Sequence, residues 1–225
     1  MRRAAFALTV LVSVAVALTT AGITSAGQAA TVCTTTLGPI TVGNVVVPAG
    51  AHCVLDGTSV AGNVTVQSGN GTLESGGILT TSTASAGAGP TINGNVVIEA
   101  DGIADVRFAL VRGNYQCNGC SYADLHSSIV KGNFQDNGLL EGVFFDFNTI
   151  GGNLEIVNSF GGGFGFSISH SSVGGNLQFE GNLGDPFSDI STSAIKGNLQ
   201  CDGNTPAPTG SGNSAKQKLG QCAGL

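Results

Sequence analysis

The chain has 225 residues, a formal net charge of −6, only 10% charged residues, 36 glycines and six cysteines. A sparsely charged acidic chain argues against nucleic acid and against anionic membrane surfaces as partners. Loss of Arg2 and Arg3 with a leader would take the charge from −6 to −8 and sharpen that exclusion.

The first segment has such a leader pattern. Arg2-Arg3 precedes an apolar run from Ala4 to Leu18, then small residues up to Gly27-Gln28-Ala29. This order is that of a secretory signal peptide over residues 1–29, cut after Ala29 or Ala30, with the export route left open. Residues 30–225 read as one domain. No later apolar run is long enough to span a membrane, so the mature chain is expected outside the cell, free or cell-wall associated.

From residue 42 onward one cassette recurs. Seven copies read apolar, any, Gly, Asn, apolar, any, apolar, beginning with Val60-Ala61-Gly62-Asn63-Val64-Thr65-Val66. The others centre on Gly94-Asn95, Gly113-Asn114, Gly132-Asn133, Gly152-Asn153, Gly175-Asn176 and Gly197-Asn198. A shortened eighth is Val42-Gly43-Asn44-Val45-Val46-Val47. From Gly43 the Gly-to-Gly steps are 19, 32, 19, 19, 20, 23 and 22. A period near twenty predicts a solenoid, in which each coil buries its apolar face only against its neighbours.

Within each coil the apolar residues alternate. Counted from the apolar residue two before each Gly, position −5 holds Leu55, Val106, Leu125, Phe145, Ile168 and Ile190, and it is apolar in every coil except the one ending at Ile92. Positions +4 and +6 are also apolar, apart from Asp136, which is expected to be a corner residue or a buried hydrogen-bonded carboxylate. Period two means short strands with one face inward. The expected fold is an all-β, single-domain parallel β-helix of about eight coils of 19–23 residues, right-handed because parallel crossovers are.

The Gly-Asn pair is read as the corner, with Gly supplying positive φ and Asn tolerating it. Asn63, Asn95, Asn114, Asn133, Asn153, Asn176 and Asn198 would then stack as a ladder, amide to amide. The long step between Gly62 and Gly94 holds a low-complexity stretch, Thr80 to Gly89, which a bulging loop or one degenerate coil would absorb.

Six cysteines in an exported chain imply disulfides. Their placement suggests Cys33–Cys53 and Cys201–Cys222, each closing an end of the solenoid, and a local Cys117–Cys120. Cys117-Asn118-Gly119-Cys120 has zinc-knuckle or redox spacing, but it stands alone, so no metal and no cofactor is expected.

One group of residues carries chemistry. Positions −6 and −4 lie outward, and three consecutive coils place Asp105/Arg107, Asp124/His126 and Phe144/Asp146 there. Such a face suits a glycan or a cation, with carboxylates, a ring and a titratable imidazole; a charged surface that only stabilises the sheet is the other reading. His52, His126 and His170 stand eight, four and three residues before their origins and are not expected to converge on a metal. No nucleophile elbow, phosphate loop or zinc-protease motif occurs.

The cassettes, with the closing run Lys196-Gly197-Asn198-Leu199-Gln200-Cys201-Asp202-Gly203-Asn204-Thr205-Pro206-Ala207-Pro208-Thr209-Gly210 and Gln221-Cys222, resemble uncharacterised secreted Gly-Asn-Leu-Gln repeat proteins of high-GC Gram-positive bacteria. That resemblance implies export and a β-solenoid fold. Most coils are near minimum length, whereas catalytic clefts on such folds need long loops. The functional expectation is therefore an exported, non-enzymatic solenoid that binds cell-wall or environmental polysaccharide or associates with itself. The alternative is a polysaccharide lyase or hydrolase working on the Asp105–Asp146 face.

Overall fold

A computed structural model describes residues 29–72, 75–82, 87–184 and 187–225. The signal-peptide expectation for residues 1–29 falls almost wholly outside them. Among the described residues there is no helix, and every strand pairing is parallel. The chain winds through three sheets of ten, eight and eight strands, each strand pairing with its counterpart one coil on. One coil shows the pattern: Tyr115–Asn118 on the first sheet, Tyr122–His126 on the second, Ile129–Val130 on the third. Eight coils carry all three strands. A ninth, made of single bridges at Thr205, Thr209 and Ser214, closes under the last first-sheet strand, Gln217–Gly220.

Alternation drives the packing. Leu55, Val106, Leu125, Phe145, Ile168 and Ile190 are all buried on the second sheet, facing Val60, Ile92, Val111, Val130, Ile150 and Val173 from the third. The first sheet contributes pairs such as Leu154 and Ile156, and its Tyr115 ring stacks on Phe134 at 4.8 Å. Each such side chain contributes roughly 1.5–3 kcal/mol by leaving water, so the core is continuous but only one side chain deep per face.

The long step is one coil, since Val60 pairs with Ile92 and Val66 with Ile98 across it. The extra residues enter two loops, which shifts the inward position to Thr81. Its hydroxyl accepts from the Arg107 backbone N–H at 2.7 Å and donates to the Arg107 carbonyl at 2.8 Å, so a polar side chain sits satisfied in an apolar row. Part of the low-complexity stretch, residues 83–86, lies outside the described residues.

The Gly-Asn row does stack, but for reasons other than those the sequence suggests. Neither Gly132 nor Asn133 has positive φ. Gly132 is needed for space, because a Cβ there would lie 2.3 Å from Asn114 Oδ1 and 2.7 Å from the Gly113 carbonyl oxygen. The ladder is not amide to amide either. Each Asn Oδ1 accepts the backbone N–H of the next Asn, as Asn114 does from Asn133 and Asn133 from Asn153, both at 2.8 Å. The row starts one coil earlier, at Asn44, which accepts from Asn63.

The other two corners carry ladders of the same kind. Between the second and third sheets, Ser193 donates from its backbone N–H to Asn213 Oδ1, Asn148 to Ser171 Oγ and Ser128 to Asn148 Oδ1, at 2.9–3.1 Å. Between the first and second sheets, Ser159 donates to Asn182, Asn182 to Asn204 and Asn204 to Gln221 Oε1. These side chains satisfy the backbone where strand pairing lapses. Disulfides join Cys33 to Cys53, Cys117 to Cys120 and Cys201 to Cys222. The first and last of these tie a terminal coil to its neighbour.

Candidate functional site

The second sheet presents the outward residues in register. Asp105 pairs with Asp124, Arg107 with His126, His126 with Asp146 and Asp146 with Ser169. Leu125 and Phe145, between them in sequence, point into the core. The outward side chains enclose a pocket of about 240 Å³, lined by Arg107, Asp124, His126, Phe144 and Asp146 with Phe145, Ser167 and Ser169. Of the six singled-out face residues only Asp105 is not part of its lining. Asp105 reaches the pocket through Arg107.

Arg107 is the hinge of the charge arrangement. Its Nε donates to Asp105 Oδ1 at 2.6 Å, and its Nη2 lies 3.6 Å from Asp124 Oδ2. The hydrogen bond to Asp105 and that carboxylate's charge hold the guanidinium above its ordinary value. Asp124 is far less exposed than its outward register suggests, its side chain retaining only 10% of its exposure. Burial first, then the Asp105 charge, pushes its carboxyl up to about 6, with Arg107 pulling the other way. The neighbouring Tyr122 phenol is pushed up to about 12, chiefly by burial, and so remains a proton donor.

Asp146 is held from both sides. His170 Nδ1 stands 3.1 Å from Oδ1, His126 Nδ1 stands 3.9 Å from Oδ2, and Ser169 Oγ donates to Oδ1 at 2.7 Å. His126 and His170 thus both approach Asp146, from the coils on either side of it. His170 adopts φ 46°, as the residue at the same register does in neighbouring coils, Ser127 and Phe147 among them. His52 does lie elsewhere, against Thr80 Oγ1 at 3.1 Å.

Two aromatic groups flank these carboxylates. On one side Phe147, 56% exposed, stacks on His170 at 4.7 Å and meets His126 edge-on at 6.1 Å. Phe108 meets His126 edge-on at 6.2 Å. Both phenylalanines have φ 55°, a left-handed conformation that costs a residue with a side chain roughly 1–2 kcal/mol. On the other side Tyr122, Phe164, Ile103 and Glu141 line a second, largely apolar hollow of about 250 Å³. The Tyr122 and Phe164 rings pack edge-on at 6.0 Å, and Phe164 is half exposed. Sequence reasoning missed Phe108, Phe147, His170, Tyr122 and Phe164. Tyr122 shares the outward parity of Asp124, and Phe108, Phe147 and His170 share position −3, so a signal existed for four of them; Phe164 belongs to an irregular loop.

Asp136 is a buried carboxylate in register with Cys117 of the preceding coil. Ser159 Oγ donates to its Oδ2 at 3.1 Å, while Oδ1 has no hydrogen-bond partner, and burial pushes the carboxyl up to about 7. The Asp136 carboxylate and the two sulfurs of Cys117 and Cys120 lie within 4.8 Å of one another. While the disulfide is closed the pair offers no thiolate, the form in which cysteine binds metal.

No family model matches the chain, and no curated protein or solved structure matches it either. No helix among the described residues is long and apolar enough to cross a membrane. The three disulfides are compatible with an oxidising, extracellular setting.

Proposed function

We propose that this chain is an exported β-solenoid that binds polysaccharide through the second-sheet face around Asp124 and Asp146. One observation carries the reading: a pocket with two carboxylates and an imidazole lies between two groups of exposed aromatic rings. Sugars need this combination, since hydroxyls hydrogen-bond to charged acceptors while the C–H faces of the ring pack on aromatic surfaces. The leader pattern, the three disulfides and the resemblance to secreted repeat proteins support export. Cell-wall or environmental glycans are then the accessible ligands. Glycan-array and calorimetric titration of the protein should find a polysaccharide ligand, and replacing Asp124 and His126 together by Ala should abolish its binding with thermal unfolding moved by only a few degrees. A protein that binds no glycan, or a variant that binds undiminished, refutes the reading.

A single observation favours a second reading, hydrolysis of the bound polysaccharide. A carboxyl raised to about 6 keeps a substantial protonated fraction in mildly acidic solution and can act there as a general acid, beside a second carboxylate in the same pocket. Release of reducing ends from a polysaccharide that the protein binds, lost in Asp124→Asn, would establish it; binding without release leaves the first reading standing.

A further inference from the structure

The placement of the aromatic groups says how a ligand lies. Tyr122, Asp124 and His126 are alternate outward residues of one strand, and the ring of Phe147 stands against His126 at the strand's far end. Phe164 stands against Tyr122 at its near end. The two aromatic groups therefore flank the carboxylates along the strand direction. Along the stack the row through Asp124 holds one ring, Phe144, and then Ser167, and the Phe147–His170 pair adds rings only at the His126 end.

We infer that the site takes a non-anionic oligosaccharide of about three rings, lying along Tyr122–His126 and hence across the solenoid axis, with its terminal rings on Phe164 and Phe147. This rests on the glycan-binding reading above. The length follows from the strand: five residues, from Tyr122 to the corner before Phe147, span about 16 Å at 3.3 Å per residue, room for about three pyranose rings. The charge follows from the centre. Arg107 is already engaged with Asp105 and Asp124, and Asp146 has only the imidazoles of His126 and His170 beside it. A uronate would meet uncompensated negative charge there, whereas a neutral or amine-bearing sugar would not.

The two end groups act differently from the centre. Tyr122 and Phe164 form a largely apolar hollow and accept a ring face. Phe147 offers one face to His170 and its edge to His126, which leaves part of its surface for a sugar. Both phenylalanines are half exposed, so truncating them leaves the coil core untouched.

The test is calorimetric titration with cello-oligosaccharides, glucosamine oligosaccharides and oligogalacturonates of one to six rings. Affinity for the neutral or amine-bearing series should climb up to three rings and level off at four, and the galacturonates should not bind. Phe164→Ala and Phe147→Ala should each lower affinity for the three-ring ligand roughly five- to tenfold, with thermal unfolding little changed. Affinity that keeps rising to six rings, preference for galacturonates, or wild-type affinity in both variants overturns the inference. Binding that Asp124→Ala abolishes and neither Phe variant affects leaves the glycan reading intact and refutes only this pose. Absence of binding to all three series, with none on the broader array, refutes both.

Discussion

Arg107 stands between two carboxylates and serves them unequally, bonded to Asp105 through Nε at 2.6 Å and only approaching Asp124, through Nη2, at 3.6 Å. Asp124 thus feels the full repulsion of Asp105 with an incomplete share of the compensating cation. In Arg107→Gln the remaining lowering charge is gone, so the Asp124 carboxyl should titrate above its value of about 6. In Asp105→Asn a raising charge goes and Arg107 is released, so it should titrate below. A ¹³C NMR titration of the Asp124 carboxyl reads both; movement in the same direction for the two variants contradicts this account.

Asp136 couples stability to pH. Its folded value of about 7 lies above the ordinary 3.8, so the folded chain holds this proton more tightly than the unfolded chain does. Its contribution is fully present below about pH 4 and is lost as pH rises through about 7. Asp136→Asn keeps an acceptor for Ser159 and removes the buried charge. It should raise the melting temperature at pH 8 by on the order of 5 °C and leave it almost unchanged at pH 4. A gain that is equal at both pH values would mean the carboxyl is not the source.

The Gly-Asn corner fails by crowding. Gly132→Ala brings a methyl against Asn114 Oδ1 and the Gly113 carbonyl, both on the neighbouring coil backbone or its ladder. Denaturant unfolding should show a loss of about 3 kcal/mol, well above the ~1 kcal/mol expected for Asn133→Ala, which removes one acceptor at a half-exposed position. Equal losses would put the hydrogen bond, and not the space, in control.

The disulfides should differ by loop length. Cys33–Cys53 and Cys201–Cys222 span 20 and 21 residues and should each contribute about 3 kcal/mol; Cys117–Cys120 spans 3 and should contribute about 2 kcal/mol. Pairwise Cys→Ser variants in denaturant titrations check the order, and a local bond that matters most reverses it.

Thr192 is β-branched, exposed and held at φ 49°. Thr192→Asn should stabilise the protein by about 0.5–1 kcal/mol, because Asn tolerates the left-handed region. Destabilisation in thermal unfolding would show that the threonine methyl makes a compensating contact.

Strand alternation, the stacked Gly-Asn row and the face of Asp105, Asp124 and Asp146 were all readable from spacing, because a solenoid repeats its environment at a constant chain interval. The physical role of Gly132 was not, since a clash with Asn114 depends on a neighbour eighteen residues away and on side-chain direction. The corner ladders were hidden for a related reason: Ser128, Asn148, Ser171 and Ser193 share position −2, but their common chemistry appears only once each is seen to cap the preceding coil. The left-handed backbone recurs three residues before the origin, at Phe108, Ser127, Phe147, His170 and Thr192, but the approach of His170 to Asp146 is a side-chain contact between coils that spacing alone does not specify. Phe164 comes from a loop outside the repeat.

Each corner oxygen reaches only the adjacent turn, so the chain measures its own length in units of one coil. Excision of residues 114–132 would set the Asn95 side-chain oxygen opposite the Asn133 amide, as it now stands opposite that of Asn114, and would remove Cys117 and Cys120 together without orphaning a thiol. The rod would shorten by about 4.8 Å and its two tied ends would remain as they are. Reach, in such a molecule, is an adjustable dimension that descent by duplication or deletion can alter without redesigning anything inside.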